Sequence, residues 1–296
     1  MRRPRLYNRR FHAAVSPYWS VSLGSSSAGL RVSSFCNPSA QVRRLAAAVL
    51  GAALMGTAAH GGTMQNCRFV TIGTATVRAV ADDGIRTDDG RTLQLDGVTS
   101  TAMPELRAAL PAGTTITLKR LGRTGESDRY GRLMAHVFLA KDDGTETWLQ
   151  ADLIARGFAR VGARIGDPTC ARELQSRENS ARTAELGLWA EPYYVMHEAS
   201  TPADILDWRG RFALVEGKVI SVRESGGTIY VNFGRRWSED FTVTAAKRNE
   251  RAFAAAGLEL KKLAGRQVRI RGWVEERGGP WVEASRPEQI EVVEGN

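Results

Sequence analysis

Residues 68–149 consist of short runs rich in β-branched side chains, each stopped by a Gly or Asp-Gly turn. That punctuation predicts a meander of short strands rather than long elements. The runs are Arg68 to Val80, Ile85 to Thr87, the alternating Thr92 to Val98, Thr114 to Leu121, Leu133 to Ala140 and Thr147 to Leu149, with turns at Asp88-Asp89-Gly90 and Asp142-Asp143-Gly144. Pro104 sits in the first turn of a short helix over Met103 to Leu110, and Ala151 to Arg156 is helical with Gly157 as its cap. Asp167-Pro168 opens a longer helix that runs to Gly187.

Tyr193 to Trp208, with Pro202 and little periodicity, reads as a linker. Beyond it the strand pattern returns: Phe212 to Val222, a Gly226-Gly227 turn, Thr228 to Phe233, Phe241 to Thr244, a helix near Asn249 to Ala256, then Gln267 to Glu275, Trp281 to Ala284 and Gln289 to Val293. Five strands with a helix between the third and fourth is the order of an oligonucleotide/oligosaccharide-binding (OB) barrel. The chain of 296 residues is therefore predicted to be mainly β with α, an α+β protein of two small five-stranded OB-type barrels, the first with appended helices. The expected boundaries are a leader at 1–59, a first domain at 60–194, a linker at 195–207 and a second barrel at 208–296. No strict sequence repeat relates the two halves.

A formal charge of +9 suggests a nucleic-acid partner until it is located. Eight arginines and no acid fall in residues 1–59, which leaves 60–206 at −2 and 207–296 at +3. Within the leader, Arg43-Arg44 precede the apolar run Leu45 to Ala59, and Thr57 and Ala59 are small enough for cleavage before His60. The run spans about 22 Å as a helix, short of a hydrocarbon core of about 30 Å. A cleaved export signal is expected, an uncleaved anchor being the alternative. The protein is then periplasmic or secreted, with no transmembrane segment in the mature chain. With 43% hydrophobic and 25% charged residues the chain is neither collagen-like, wholly disordered nor a polytopic membrane protein.

Cys36 lies in the leader, so Cys67 and Cys170 are the pair left in the mature chain. In an oxidising compartment they are a disulfide candidate, with two free thiols or an intermolecular bond as alternatives. Neither has a Cys or His neighbour at metal-ligand spacing. No Ser-His-Asp or Cys-His constellation and no Gly-rich phosphate loop is present.

Three segments carry a resemblance: Ser127-Asp128-Arg129-Tyr130-Gly131-Arg132, Leu153-Ile154-Ala155-Arg156-Gly157-Phe158-Ala159, and Gly187-Leu188-Trp189. In order and spacing they resemble the hallmarks of thermonuclease-like (staphylococcal nuclease-like) domains, over roughly Cys67 to Tyr194. The second barrel, through Tyr230-Val231-Asn232-Phe233-Gly234 and Asp240-Phe241-Thr242, looks like the small barrel that follows such domains in some exported bacterial proteins. The resemblance implies Ca2+-dependent hydrolysis of DNA or RNA phosphodiesters. Such chemistry needs carboxylates to hold a hard cation, a carboxylate to order the attacking water, and cationic donors for the charge of the transition state.

Arg132 matches one of the family's two catalytic arginines, but the rest departs. In a gapless alignment the family's metal-binding Asp-Gly-Asp-Thr falls on Ala81-Asp82-Asp83-Gly84, leaving Asp83 as a metal ligand. The first catalytic arginine becomes Gln94, the second metal aspartate Thr99 and the general-base glutamate Ala102. Loss of such a donor costs about 10²- to 10³-fold in rate, and loss of the base about 10²- to 10⁴-fold. An insertion of three residues would restore Glu105 as base. Arg91 has the wrong strand parity to replace Gln94, whereas Asp96 shares its parity and is a second metal candidate. The plainer readings are that Arg132 pairs with a surface acid and that Asp82, Asp83, Asp88 and Asp89 serve turns.

In the second barrel Tyr230, Phe233, Trp237, Phe241, Trp273 and Trp281 are either core or a stacking platform. Arg235, Arg236, Arg269, Arg271 and Trp273 are the candidate nucleic-acid-binding residues. The leading expectation is an exported thermonuclease-like protein with a degenerate site that binds DNA, RNA or another polyanion with weak or no hydrolysis. The alternatives are an active calcium-dependent nuclease built on Asp83, Glu105 and Arg132, and a module whose partner is protein or glycan.

Overall fold

The computed structural model describes residues 67–122, 127–236 and 238–293. The leader with Cys36 and its expected export signal, and Trp237, lie outside the described residues. The first half is built from β1 (Phe69–Ala81), β2 (Gly84–Thr87), β3 (Thr92–Leu95), β4 (Val98–Thr101), α1 (Met103–Ala109), β5 (Thr115–Leu121), β6 (Leu133–Ala140), β7 (Glu146–Trp148), α2 (Leu149–Ala155), β8 (Ala159–Val161) and α3 (Pro168–Thr183).

The long β1 pairs antiparallel with β2 on one side and β5 on the other, β2 pairs with β3, and β5 with β6. A parallel β3–β6 contact, Leu93 to Leu133 through Leu95 to Ala135, closes the five strands on themselves. Inside lie Val77, Ile85, Leu93, Leu95, Ile116, Leu118 and Val137, each at most 6% exposed. Their alternation along β2, β3 and β5 is the period-2 pattern of a strand with one face in the core. The closed strand order is that of the OB-type barrel expected from the sequence.

A disulfide ties α3 to the start of the barrel, and a cap fixes where the helix begins. Cys67 and Cys170 form a disulfide across 103 residues of chain, with Cα atoms 5.3 Å apart. At the start of the helix the Asp167 carboxylate accepts from the backbone N–H groups of Thr169 and Cys170, both at 2.9 Å. This is the N-cap that Asp-Pro predicts. The helix ends at Thr183, earlier than expected.

His136 is fully buried on β6, its ring edge-on to Phe69 and to Trp148, each with centroids 5.3 Å away. Neither ring nitrogen has a hydrogen-bond partner, and burial lowers its pKa to about 3. Between that value and the ordinary 6.5 the unfolded chain binds the proton and the folded chain does not, so stability falls as pH falls through this window. Going from pH 7 to pH 5, His136 alone should remove about 2 kcal/mol. Urea denaturation at the two pH values checks this: His136→Phe should remove that part of the slope, and an unchanged slope would contradict it.

The second half contains β9 (Met196–Glu198), α4 (Pro202–Leu206), β10 (Phe212–Lys218), β11 (Ser221–Ser225), β12 (Thr228–Asn232), β13 (Thr242–Ala246), α5 (Glu250–Ala255), β14 (Gln267–Trp273), β15 (Glu275–Arg277), β16 (Gly279–Glu283) and β17 (Ile290–Val292). One sheet runs β17-β14-β10-β9 and the other β11-β12-β13-β16-β15. β10 leads into β11 and β14 into β15 at bends, so these strands pass between sheets. A parallel β13–β16 pairing repeats the closure seen in the first half. The stretch read as a linker contributes β9, which adds parallel to β10 through Leu214 to Met196, and the short α4. A three-residue strand leaves too little alternation to recognise.

The two halves keep separate hydrophobic cores, yet their described residues belong to one compact unit. Buried charge joins them. Arg271 on β14 is 1% exposed and donates to Glu178 on α3 at 2.9 Å, while the same Glu178 accepts from the backbone N–H of Val161 at 2.7 Å. Glu288 near β17 accepts from the amides of Ile165 and Gly166 at 3.1 and 3.2 Å. Arg160 is 3% exposed among Trp189, Tyr194 and Phe212, with its guanidinium 5.1, 5.4 and 5.8 Å from the ring centres. Burial pulls its pKa below the ordinary value, and Glu178 opposes that shift. No helix among the described residues is long and apolar enough to cross a membrane.

Candidate functional site

The Asp-x-Tyr-Gly-Arg element is a tight turn organised by its own carboxylate. Asp128 Oδ1 accepts from the backbone N–H groups of Tyr130 at 2.8 Å and Arg132 at 3.0 Å, and Oδ2 accepts from Arg132 Nε at 2.7 Å. The Arg132 guanidinium, aided by those two backbone N–H groups, holds the Asp128 carboxyl below the usual carboxylate range. Arg132 Nη1 is left to reach across to the backbone carbonyl of Asp83, at 3.1 Å. Gln94 Nε2 donates to the same carbonyl at 2.7 Å. Arg132 and Gln94 thus converge on one peptide oxygen of the β1–β2 turn.

The carboxylates of that region are spent locally. Asp82 pairs with Arg107 of α1 at 2.8 Å, Asp83 with Arg86 at 3.1 Å and Asp89 with Arg91 at 2.6 Å. Arg91, with help from the Thr87 hydroxyl, holds the Asp89 carboxyl well below its usual range. Asp96, expected to share a cleft with Gln94, does not. Strand β3 ends at Leu95, and Gly97 takes a φ of +81°, so strand parity no longer applies. Asp96 is 2% exposed, and its Oδ1 accepts from the Gly97 amide at 3.0 Å. Glu105 sits in the first turn of α1.

Two separate concavities result. One of about 100 Å³ is lined by Asp82, Gln94, Thr99, Met103 and Leu106 among others. Neither Glu105 nor Arg132 lines it. The other, of about 700 Å³, is lined by Asp83, Arg91, Ser127, Tyr130 and Arg132 among others. Tyr130 is 65% exposed at its rim, with the guanidinium groups of Arg129 and Arg132 at 4.7 and 5.1 Å from its ring centre. No three His, Cys, Asp or Glu side chains among the described residues come together to hold a metal ion. The two expected calcium ligands do not come together: Asp83 is paired with the Arg86 guanidinium beside the β1–β2 turn, and Asp96 is buried with its Oδ1 engaged by the Gly97 amide.

The cations proposed on the second barrel divide. Arg269 is bound by Glu216 at 2.7 Å and Glu291 at 3.1 Å, and Arg271 by Glu178 and Glu291, so both are buried ion-pair members and not an exposed cationic face. They share a face, as their parity predicts, but on it Glu216 of β10 and Glu291 of β17 lie alongside and Glu178 of α3 packs across, so the guanidinium groups are paired rather than free. Arg235 and Arg236 are exposed on the β12–β13 loop, Arg236 pairing with Glu239 at 2.9 Å. Trp273 is 59% exposed at the end of β14, edge-on to its cross-strand partner Phe212, in the sheet that does not contain β12 and β13. Phe233 and Phe241 are core residues, and Tyr230 faces out.

The closed barrel with α3 packed on it has an OB-type architecture. Residues 108–191 match the family model for staphylococcal nuclease homologues, and that stretch is a staphylococcal nuclease-like domain. It contains Arg132 and also Gly157 and Gly187, whose backbones touch: a Cβ on Gly157 would lie 2.1 Å from the Leu186 carbonyl oxygen, and one on Gly187 2.6 Å from that of Gly157. Asp83, Gln94, Asp96 and Glu105 precede the matched stretch. No curated protein matches the chain.

Proposed function

We propose that this is an exported thermonuclease-like protein that retains single-stranded nucleic acid on its first domain without efficient hydrolysis. The observation that carries the binding half is Tyr130: an exposed ring at the rim of a wide concavity, with Arg129 and Arg132 beside it, suits base stacking next to phosphate contacts. The absence of efficient hydrolysis rests on the two side chains that converge on the Asp83 carbonyl. That arrangement presents a neutral amide where a second guanidinium is needed, and Asp82 and Asp83 beside it are already paired. Export is in keeping with the disulfide, since such bonds persist in oxidising compartments.

With little net charge outside the leader, affinity must come from a few local cations. Two or three phosphate contacts give a slope of log K against log salt of about −1.4 to −2.1 for a single strand. Tyr130→Ala should weaken retention of an oligothymidylate by about 1 to 3 kcal/mol while leaving the salt slope nearly unchanged. Fluorescence anisotropy at several salt concentrations reads both quantities. Affinity indifferent to Tyr130 would place binding elsewhere on the molecule.

A further inference from the structure

The second half holds a polar groove that the first domain's chemistry does not use. Val231, Val243 and Val282 point into the core, so their strand neighbours face outward. Registers across β12, β13 and β16 set those neighbours in two rows: Tyr230 beside Thr244 beside Glu283, and Asn232 beside Thr242 beside Trp281. Together they line a groove of about 330 Å³. Residues on the outer face of a sheet are ordinarily solvated, yet Asn232, Thr242 and Thr244 are only 7, 8 and 5% exposed, which makes them the floor of a recess.

The hydrogen-bonding capacity of this floor is largely unspent. Thr242 donates to Asn232 at a long 3.4 Å, and Asn232 to Ser221 at 3.3 Å. Among the described residues the Thr244 hydroxyl and the Glu283 carboxylate have no partner. Tyr230, 36% exposed, offers a ring and a hydroxyl at one side. The one cation of the lining, Arg277, is stacked on Trp281 with its guanidinium 3.3 Å from the ring centre and shared with Glu275 at 3.6 Å. Two carboxylates also line the groove, Glu283 and Asp240, the latter accepting from the Arg236 backbone N–H at 2.6 Å.

A phosphate backbone would meet two anions and one engaged guanidinium there, a poor match for a polyanion. Hydroxyls, an amide and carboxylate acceptors beside an aromatic ring suit a ligand that brings many neutral hydroxyl donors and an apolar C–H face. We infer that this groove binds a neutral carbohydrate chain, with Glu283 and Thr244 taking its hydroxyls and Tyr230 packing against a sugar face. This goes beyond the reading of the first domain and stands independently of it.

The test titrates the full chain with three neutral tetrasaccharides of different linkage, cellotetraose, chitotetraose and maltotetraose, and with a short oligothymidylate, following backbone and side-chain amide shifts by NMR. At least one tetrasaccharide should saturate at millimolar concentration or below, shifting Asn232, Thr244 and Trp281. Glu283→Gln, Thr244→Val and Tyr230→Ala should each weaken it roughly tenfold, with an unchanged melting temperature. Absence of saturable binding by all three sugars at about 10 mM would overturn the inference. So would sugar binding indifferent to the three variants, or an oligothymidylate that alone perturbs the groove.

Discussion

Arg271→Ala should lower the stability of the chain by about 3 to 5 kcal/mol, because it strands Glu178 in a site that is almost closed to water. The loss comes from the uncompensated carboxylate rather than from any large net gain by the pair, since desolvation of both ions offsets much of their attraction. The double variant Glu178→Leu/Arg271→Met, which replaces the ions with apolar side chains of similar length, should recover most of that loss. It also discards the Glu178 bond to the Val161 amide at 2.7 Å, so recovery should stop short of complete. Denaturant unfolding of both variants reads the difference. A single-variant loss below about 1 kcal/mol would mean that the ion pair across the two halves does not hold them together.

Replacing Cys67 and Cys170 by serine should cost about 2 to 5 kcal/mol. The bond closes 103 residues, and the chain-entropy account gives about 4.7 kcal/mol for a loop of this order. The loss should be felt first at α3, whose N-cap lies beside Cys170 and whose Glu178 carries the contact to Arg271. Amide exchange along Pro168–Thr183 in the serine variant should therefore rise before exchange in β1 or β5. Uniform exchange through the first half would argue that the disulfide acts only on the unfolded chain.

The strands were legible because alternation and turn chemistry are local signals, as along Thr115–Leu121 with Ile116, Leu118 and Leu121 inward, whereas the parallel β3–β6 and β13–β16 pairings join distant segments and leave no local mark. Cys67 and Cys170 were legible from compartment and count, and their bond is present. The side chains of the site were less so. Asp96 was misplaced because parity fails where Gly97 turns the chain. Arg269 and Arg271 carried a correct face but no sign of what covers it, since their partners Glu216 and Glu178 lie 53 and 93 residues away. The plainer reading, that Arg132 pairs with an acid, holds: the partner is Asp128 of the same motif, whose carboxylate also caps the turn amides. Arg132's second contact, to a backbone carbonyl 49 residues earlier, leaves no mark in the sequence.

The claim that binding has been kept and efficient cleavage lost is tested most directly by incubating the full chain with an end-labelled single-stranded oligonucleotide, with calcium and with a chelator, and resolving both the complex and the products. The account predicts a retained, salt-sensitive complex and an intact oligonucleotide in both conditions. Calcium-dependent cleavage that is abolished by Arg132→Ala or Glu105→Ala would contradict it, and would make the site a working nuclease in an altered arrangement.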